Sequence, residues 1–304
     1  MNAAPALLGY AAGVGFLAPR LMLHSAWTHR APALAVTAWH GLTVSFTIAV
    51  ALAAHHLATP TEHLHADLIG VLHSCGLTTA TGAPDPTIAD RLAIALPFSV
   101  MLVVLGSFAF EVLRGRRARS RHRAVLDMVG RRSPDLCATV LEHDLPAAYC
   151  LPGYKPRVVV SQGALRLLSA GQLDAVLEHE RSHVAGRHHL AMAAMQAFAR
   201  VFRRLPLAHH AKEQTSVLLE MIADDRALRS QSRDVLATAM YEMAAAKAAP
   251  AGAFAVSGPS AVVRLRRVLT PQRRPHVALR GSVAAAAAVV PVIPLLFSCV
   301  PTIG

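Results

Sequence analysis

Residues Ser169–Leu190 read SAGQLDAVLEHERSHVAGRHHL, and this stretch decides both the fold and the chemistry expected of the chain. Ser169 followed three residues later by Gln172 has the form of a capping box, which satisfies the free N–H groups at a helix start. Leu173, Val176 and Leu177 then recur at helical spacing. An amphipathic helix therefore opens at Ser169 and runs into His179-Glu180-Arg181-Ser182-His183. Two imidazoles four residues apart share one face of such a helix and can reach a single Zn²⁺. Glu180 sits beside that face, where its carboxylate can take a proton from a water held at the metal. The competing reading is a surface helix with two solvated histidines; the capped amphipathic context argues against it.

A third ligand has two candidates. His189 fits a longer pattern, His179-Glu180-x-x-His183-x-x-Gly186-x-x-His189, in which the glycine ends the helix and the last histidine swings back to the metal. The apolar residues Leu190, Met192, Ala194, Met195, Phe198, Val201 and Phe202 continue to Pro206 without a breaker. A helix running through Gly186 would hold His189 away from the face of His183. The other candidate is Glu220, with Asp224 one helical turn later. Glu220 would complete a His₂Glu set, leaving the fourth position for water, and Asp224 would accept the free N–H of a liganding histidine. Glu220 is favoured over His189. The plain alternative for this pair is a solvated acidic face beside Arg226 and Arg229.

The 304 residues allow two modest domains, or one domain plus membrane segments. With 54% hydrophobic and only 16% charged residues, the second is favoured. Aromatics are scarce and alanine abundant, which favours helices. Four apolar stretches stand out, at about Ala3–Ala18, Ala33–Ala54, Leu92–Leu113 and Ser282–Val300. The middle two reach the ~20 residues a bilayer requires; the outer two are near the lower limit and contain Gly or Pro. No Lys or Arg precedes the first stretch, so it reads as an uncleaved span rather than a signal peptide. Arg20 and Arg30 follow it, and Arg114, Arg116, Arg117, Arg119, Arg121 and Arg123 follow the third, whereas residues 57–90 hold no Lys or Arg. The charge bias places the N-terminus and the 57–90 loop outside, residues 114–280 in the cytoplasm, and the C-terminus outside after a last span. The expected organisation is thus three spans over residues 1–113, a peptidase domain over 114–280 and a C-terminal span over 281–304. The fold class is mainly α with a small β-hairpin or sheet.

A net charge of +12 raises the question of nucleic acid. The basic cluster abuts a span, however, where it sets topology and touches anionic lipid, so no direct nucleic-acid contact is expected. Cys75, Cys137, Cys150 and Cys299 show no paired spacing, which excludes a disulfide framework and a thiolate zinc site. The outer loop region carries His55, His56, Glu62, His63, His65, Asp67, His73 and Cys75. A polar loop is favoured over a metal-sensing cluster there. His40 beside Trp39 lies inside a span and should face the bundle, as a packing residue rather than a proton relay. Residues Pro134–Leu145 read as a short helix or strand. Ala147–Leu151, a Pro152-Gly153 turn and Arg157–Val160 suggest a hairpin. Such a strand beside the metal helix could bind an extended peptide at its edge, or be an ordinary structural hairpin.

The order of these features resembles the BlaR/MecR-type membrane metallopeptidases of the beta-lactam sensor-transducer family. The resemblance rests on three spans, a basic run, Tyr149-Cys150-Leu151-Pro152-Gly153, His179-Glu180-Arg181-Ser182-His183 with Gly186-Arg187-His188-His189-Leu190, Glu220-x-x-x-Asp224 and a last span. It is more distantly similar to the HtpX-like and CAAX-prenyl endopeptidases. The resemblance implies a cytoplasmic gluzincin domain in a multi-pass protein of the bacterial inner membrane. His179, His183 and Glu220 would match the zinc ligands, Glu180 the general base and Asp224 the acid behind a ligand. It implies regulated proteolysis of a cytoplasmic protein, a winged-helix repressor being the usual target class, or self-cleavage. Antibiotic-sensing members carry an extracellular penicillin-binding domain after the last span; this chain ends at Gly304, so any signal is expected to enter through the spans, the outer loop or a partner.

The expected reaction is metal-assisted peptide hydrolysis with Glu180 as base and then acid. The rival from another class is a non-proteolytic membrane signalling protein whose zinc site is structural, a reading the intact Glu180 opposes. A transporter would need polar residues through the spans, and these are mostly Ala, Val and Leu.

Overall fold

The computed structural model describes residues 3–58, 88–247, 258–270 and 276–299. Three helices among them are long and apolar enough to cross a membrane: α1 (Ala4–His24), α2 (Pro32–Ala58) and α3 (Ile88–Val129). On α3, Leu102, Val103, Leu105, Phe110 and Leu113 are all at least half exposed. A row of large apolar side chains on the outside of one helix suits a lipid surround and is costly in water. The expected boundary between residues 113 and 114 falls inside this one helix, whose basic continuation leaves the apolar part without a break.

That continuation carries a small sheet. Strands β1 (Gly130–Ser133), β2 (Ala138–Leu141), β3 (Ala148–Leu151) and β4 (Arg157–Ser161) form one sheet in the order β1-β2-β4-β3. The expected hairpin is the antiparallel β3–β4 pair, with Cys150 opposite Val158, turning at Gly153, whose φ of 139° suits a residue without a Cβ. The stretch left open between helix and strand contains β2, which pairs parallel with β4; β1 was not foreseen. Along β4 the period of two divides the valines. Val158 and Val160 pack with Leu177 on one face, and Val159 packs with Leu126 of α3 on the other.

The remaining helices are α4 (Gln162–Leu167), α5 (Ala170–Ala185), α6 (His188–Val201), α7 (Pro206–Ala227), α8 (Arg233–Lys247), α9 (Gly258–Leu269), α10 (Val277–Val289) and α11 (Ile293–Cys299). The largest core joins the two halves of the chain. Ala11, Val14, Trp39, Phe46 and Ala49 of α1 and α2 pack with Met195 and Phe198 of α6 and with Leu207, Ala211, Leu218 and Met221 of α7. Phe46 meets Phe198 edge-on at 5.9 Å, a favoured aromatic geometry. Helices α6 and α7 therefore pack directly onto the apolar N-terminal ones and do not hang from them on a linker. His40 is half-buried and donates from Nδ1 to Val36 O (2.8 Å), while His55 donates to Ala93 O (2.8 Å), tying α2 to α3. Glu62, His63, His65, Asp67, His73 and Cys75 lie outside the described residues.

The expected last span, Ser282–Val300, is not one continuous helix over its described residues. It is two short helices, α10 and α11, separated by a turn at residues 290–292, and neither alone is long enough for a bilayer. Prolines cause the break. Pro291 and Pro294 have no N–H, so the carbonyls four residues earlier, on Ala287 and Val290, lose their helical partners. Ser45 Oγ donates to Val290 O (2.8 Å), and the Tyr10 hydroxyl, 2.7 Å from Ser45 Oγ and 3.1 Å from the same carbonyl, completes the group. Hydroxyls from neighbouring helices commonly satisfy backbone freed by proline in this way. Ala287 O instead lies against the backbone of α2 at Gly41, where an added Cβ would sit 3.0 Å from it. Gly41→Leu should push α10 off α2, costing about 1–3 kcal/mol. Thermal unfolding of the detergent-purified chain measures this; an unchanged midpoint would show that the contact is not needed.

Candidate active site

Helix α5 is fixed before it reaches the motif. The capping box forms as expected, with Ser169 N–H donating to Gln172 Oε1 (2.8 Å) and Gln172 N–H to Ser169 Oγ (3.4 Å). Leu173 and Leu177 then pack on the sheet, and Ala175 packs with Ala227 of α7 and Leu236 of α8. Clamped on both sides, α5 turns His179 and His183 toward α7, which supplies Glu220 and Asp224.

The three expected ligands meet. His179 Nε2 lies 3.2 Å from His183 Nε2. Glu220 Oε1 lies 3.3 Å from His183 Nε2, and Glu220 Oε2 lies 3.4 Å from His179 Nε2. Ligand atoms placed 2.0–2.1 Å from a tetrahedral zinc are about 3.3–3.4 Å apart, so the spacing of this His₂Glu set fits a Zn²⁺-sized ion. A second group, His209, His210 and Glu213, is exposed on one turn of α7; acids and histidines at such spacing often pair on a surface without a metal.

Behind the triad, His179 donates from Nδ1 to Asp224 Oδ1 (3.0 Å), and the Asp224 side chain is 1% exposed. This fixes which ring nitrogen faces the ion site. Arg264 of α9, absent from the sequence reading, grips Asp224 through two bonds (2.7 and 2.9 Å) and reaches Glu220 Oε2 (2.8 Å). Its guanidinium keeps two carboxylates, one turn apart on α7, from facing only each other. No spacing links residue 264 to the motif, so nothing local in the sequence points to it.

The second histidine has its own partner. Helix α5 does not run through Gly186, although the apolar spacing beyond it would allow a continuous helix. It ends there, and Arg187 adopts a left-handed conformation (φ 49°). The break turns His188 back so that its Nδ1 lies 2.8 Å from His183 Nδ1. A Cβ at Gly186 would collide with the His188 ring, so the glycine serves this close approach. His189 lines the same cavity but is not among the grouped ligand atoms, and its Nδ1 is buried without a hydrogen-bond partner.

Glu180 projects into a cavity of about 300 Å³ that Tyr149, Cys150, His183 and Glu220 also line. Cys150, on the edge strand β3, lines the cavity beside Glu180. Burial raises the Glu180 carboxyl above its ordinary range, and burial with the adjacent Glu180 charge pushes the Cys150 thiol up to about 12. The two histidines part company. Burial holds His183 at about 4. On His179 burial acts in the same sense, but hydrogen bonds to Asp224 and Glu220 outweigh it and raise the ring to about 9. Arg264 and His179 overcome the effect of burial on Asp224 and hold it at about 2.

Two imidazole nitrogens and a carboxylate around an ion-sized gap, with a second glutamate facing the same cavity, define the metal-dependent hydrolase class. Comparison with known families matches residues 113–272, more than half of the chain, to Peptidase family M48. The chain belongs to peptidase family M48, whose members are metallopeptidases that usually depend on zinc. No curated protein and no solved structure matches it.

Two outcomes follow. At pH 7 the metal-free site holds one proton on His179, while His183 is neutral, so zinc uptake should release about one proton. Affinity should rise with pH until about 9 and then level. Calorimetry in buffers of different ionisation enthalpy reads this directly; pH-independent uptake would contradict it. Arg264→Ala should weaken zinc binding by roughly 10–100-fold, the usual effect of losing a group that orients a ligand, and competition with a chromogenic chelator gives the number.

Proposed function

We propose that the chain is a membrane-embedded zinc endopeptidase of the BlaR/MecR type. In this reading it hydrolyses peptide bonds of a cytoplasmic protein in regulated proteolysis, either a repressor or itself. The observation that carries the reading is Glu180: a buried carboxylate of raised proton affinity, facing the same cavity as His179, His183 and Glu220. A purely structural metal site has no use for such a group.

When bound, zinc supplies a Lewis acid that acidifies water and polarises a peptide carbonyl. The chain's residues do the rest. His179, His183 and Glu220 hold the ion, and Asp224 and Arg264 keep His179 and Glu220 aimed at it. Glu180 takes the proton of the attacking water and returns it to the leaving amine, a role that favours a carboxyl whose pKa has moved toward neutrality. Strand β3 ends the sheet beside the cavity, which suits an extended peptide adding along its free edge. The apolar surface of α3 and the arginine-rich turns that follow it support a multi-pass placement with the site on the cytoplasmic side.

Glu180→Gln should lower turnover by at least about 100-fold, the scale of a general base, while leaving zinc bound. The test compares protein N-termini in cells carrying the native chain and the variant, with metal content measured on both purified proteins. New N-termini present only with the native chain support the reading. The same N-termini in both would overturn it in favour of a signalling protein with a structural zinc site.

A further inference from the structure

A second cavity, of about 780 Å³, opens where α3 leaves its apolar stretch. It falls within the ~300–1,000 Å³ typical of ligand sites. Its wall brings together Arg114 of α3, Arg200 near the end of α6, Arg203 in the turn after it and Lys212 of α7, against the single carboxylate of Glu111. Glu111 is already engaged. It is buried, accepts from Arg200 Nε (2.9 Å) and Nη2, and lies 3.6 Å from Arg114. Arg203 and Lys212 form no ion pair among the described residues, although both face the cavity. Four cations drawn from three helices and one turn, around one spent carboxylate, leave a concave surface short of negative charge.

The cavity also has an apolar side. Leu113 is the last residue of the apolar run and Arg114 the first of the basic one. One turn into the apolar part from Arg114, Phe110 is half exposed and carries the Arg200 guanidinium 4.9 Å from its ring centroid. Two turns further, Val103 is exposed on the same side. An apolar strip thus runs directly out of a cationic pocket, along a helix read as a membrane span.

We propose that this cavity binds the phosphate headgroup of an anionic phospholipid, whose acyl chains lie along the Phe110–Val103 strip of α3. Basic pockets between helices at the membrane face are suited to anionic headgroups. A free phosphate would use the cations and leave the strip idle, so the apolar side selects the lipid. The site would tie α6, which begins at His188 beside the metal residues, to α3 through a lipid bridge. It depends on α3 spanning the membrane and is independent of whether the metal site cleaves peptides.

The test uses native mass spectrometry of the full-length chain in dodecyl maltoside, with added phosphatidylglycerol, phosphatidylcholine or inorganic phosphate. The native chain should retain one phosphatidylglycerol and no phosphatidylcholine. Arg203→Glu with Lys212→Glu should weaken retention by at least about tenfold, and the milder Arg203→Gln with Lys212→Gln should weaken it less. Arg131→Glu with Arg132→Glu, two exposed residues of β1 whose replacement removes equal charge outside both the cavity and the basic run at 114–123, should leave retention unchanged. Equal retention by the native chain and both cavity variants, equal retention of phosphatidylcholine, or the same loss in the outside variant would each overturn the proposal. Displacement of the lipid by equimolar inorganic phosphate would overturn the lipid assignment.

Discussion

Helix α7 has two faces, and the molecule is arranged around holding both. One face buries Leu207, Ala211, Leu218 and Met221 against Trp39 and Phe46 of α2. The other presents Glu220 and Asp224 to α5. Metal ligands must be held within about half an ångström to function, and a carboxylate on a surface helix would not be. Here packing supplies the precision: each large apolar side chain removed from water contributes about 1.5–3 kcal/mol. The helix that aims Glu220 is therefore set by contacts with the apolar N-terminal helices. A picture of a peptidase hung beneath an independent membrane anchor does not describe this core.

Local features of the site were legible in the sequence because local physics governs them. The capping box, the one-turn spacing of His179 and His183, the one-turn spacing of Glu220 and Asp224 and the β3–β4 hairpin each depend on a few neighbouring residues. What was not legible depends on long-range meetings. Arg264 reaches Asp224 only because α8 and α9 fold back on α5 and α7. The end of α5 was misread because apolar periodicity continues past Gly186; a single left-handed residue, Arg187, resets the helix and exchanges His189 for His188. The last apolar stretch was read by length, whereas its two prolines decide its shape.

Those prolines and the metal site pose the same problem of satisfying buried polar groups. At the prolines, two orphaned carbonyls settle on the N-terminal helices, one on Tyr10 of α1 and Ser45 of α2 and the other against Gly41 of α2. At the metal site, the buried carboxylate of Asp224 and the half-buried one of Glu220 settle on one guanidinium. An unpartnered buried charge is severely destabilising, so Arg264 is needed whether or not an ion is bound. His183 remains neutral beside a protonated His179 because burial lowers its proton affinity, whereas hydrogen bonds to Asp224 and Glu220 outweigh burial at His179.

The neighbouring residue extends this arrangement toward the apolar N-terminal helices. Asp225 follows Asp224 directly and is gripped by Arg267, one turn after Arg264 on α9, through two bonds of 2.7 and 2.8 Å. Arg267 also donates to His29 O (2.8 Å), in the connection between α1 and α2. Adjacent acids on one helix, held by two arginines on another, cannot be displaced independently. A shift of the α1–α2 connection that moved Arg267 would carry α9 with it and alter the bonds that orient Asp224, and through Asp224 the ring of His179. The path from the α1–α2 connection to the imidazole of His179 thus alternates side-chain hydrogen bonds with the backbones of α9 and α7.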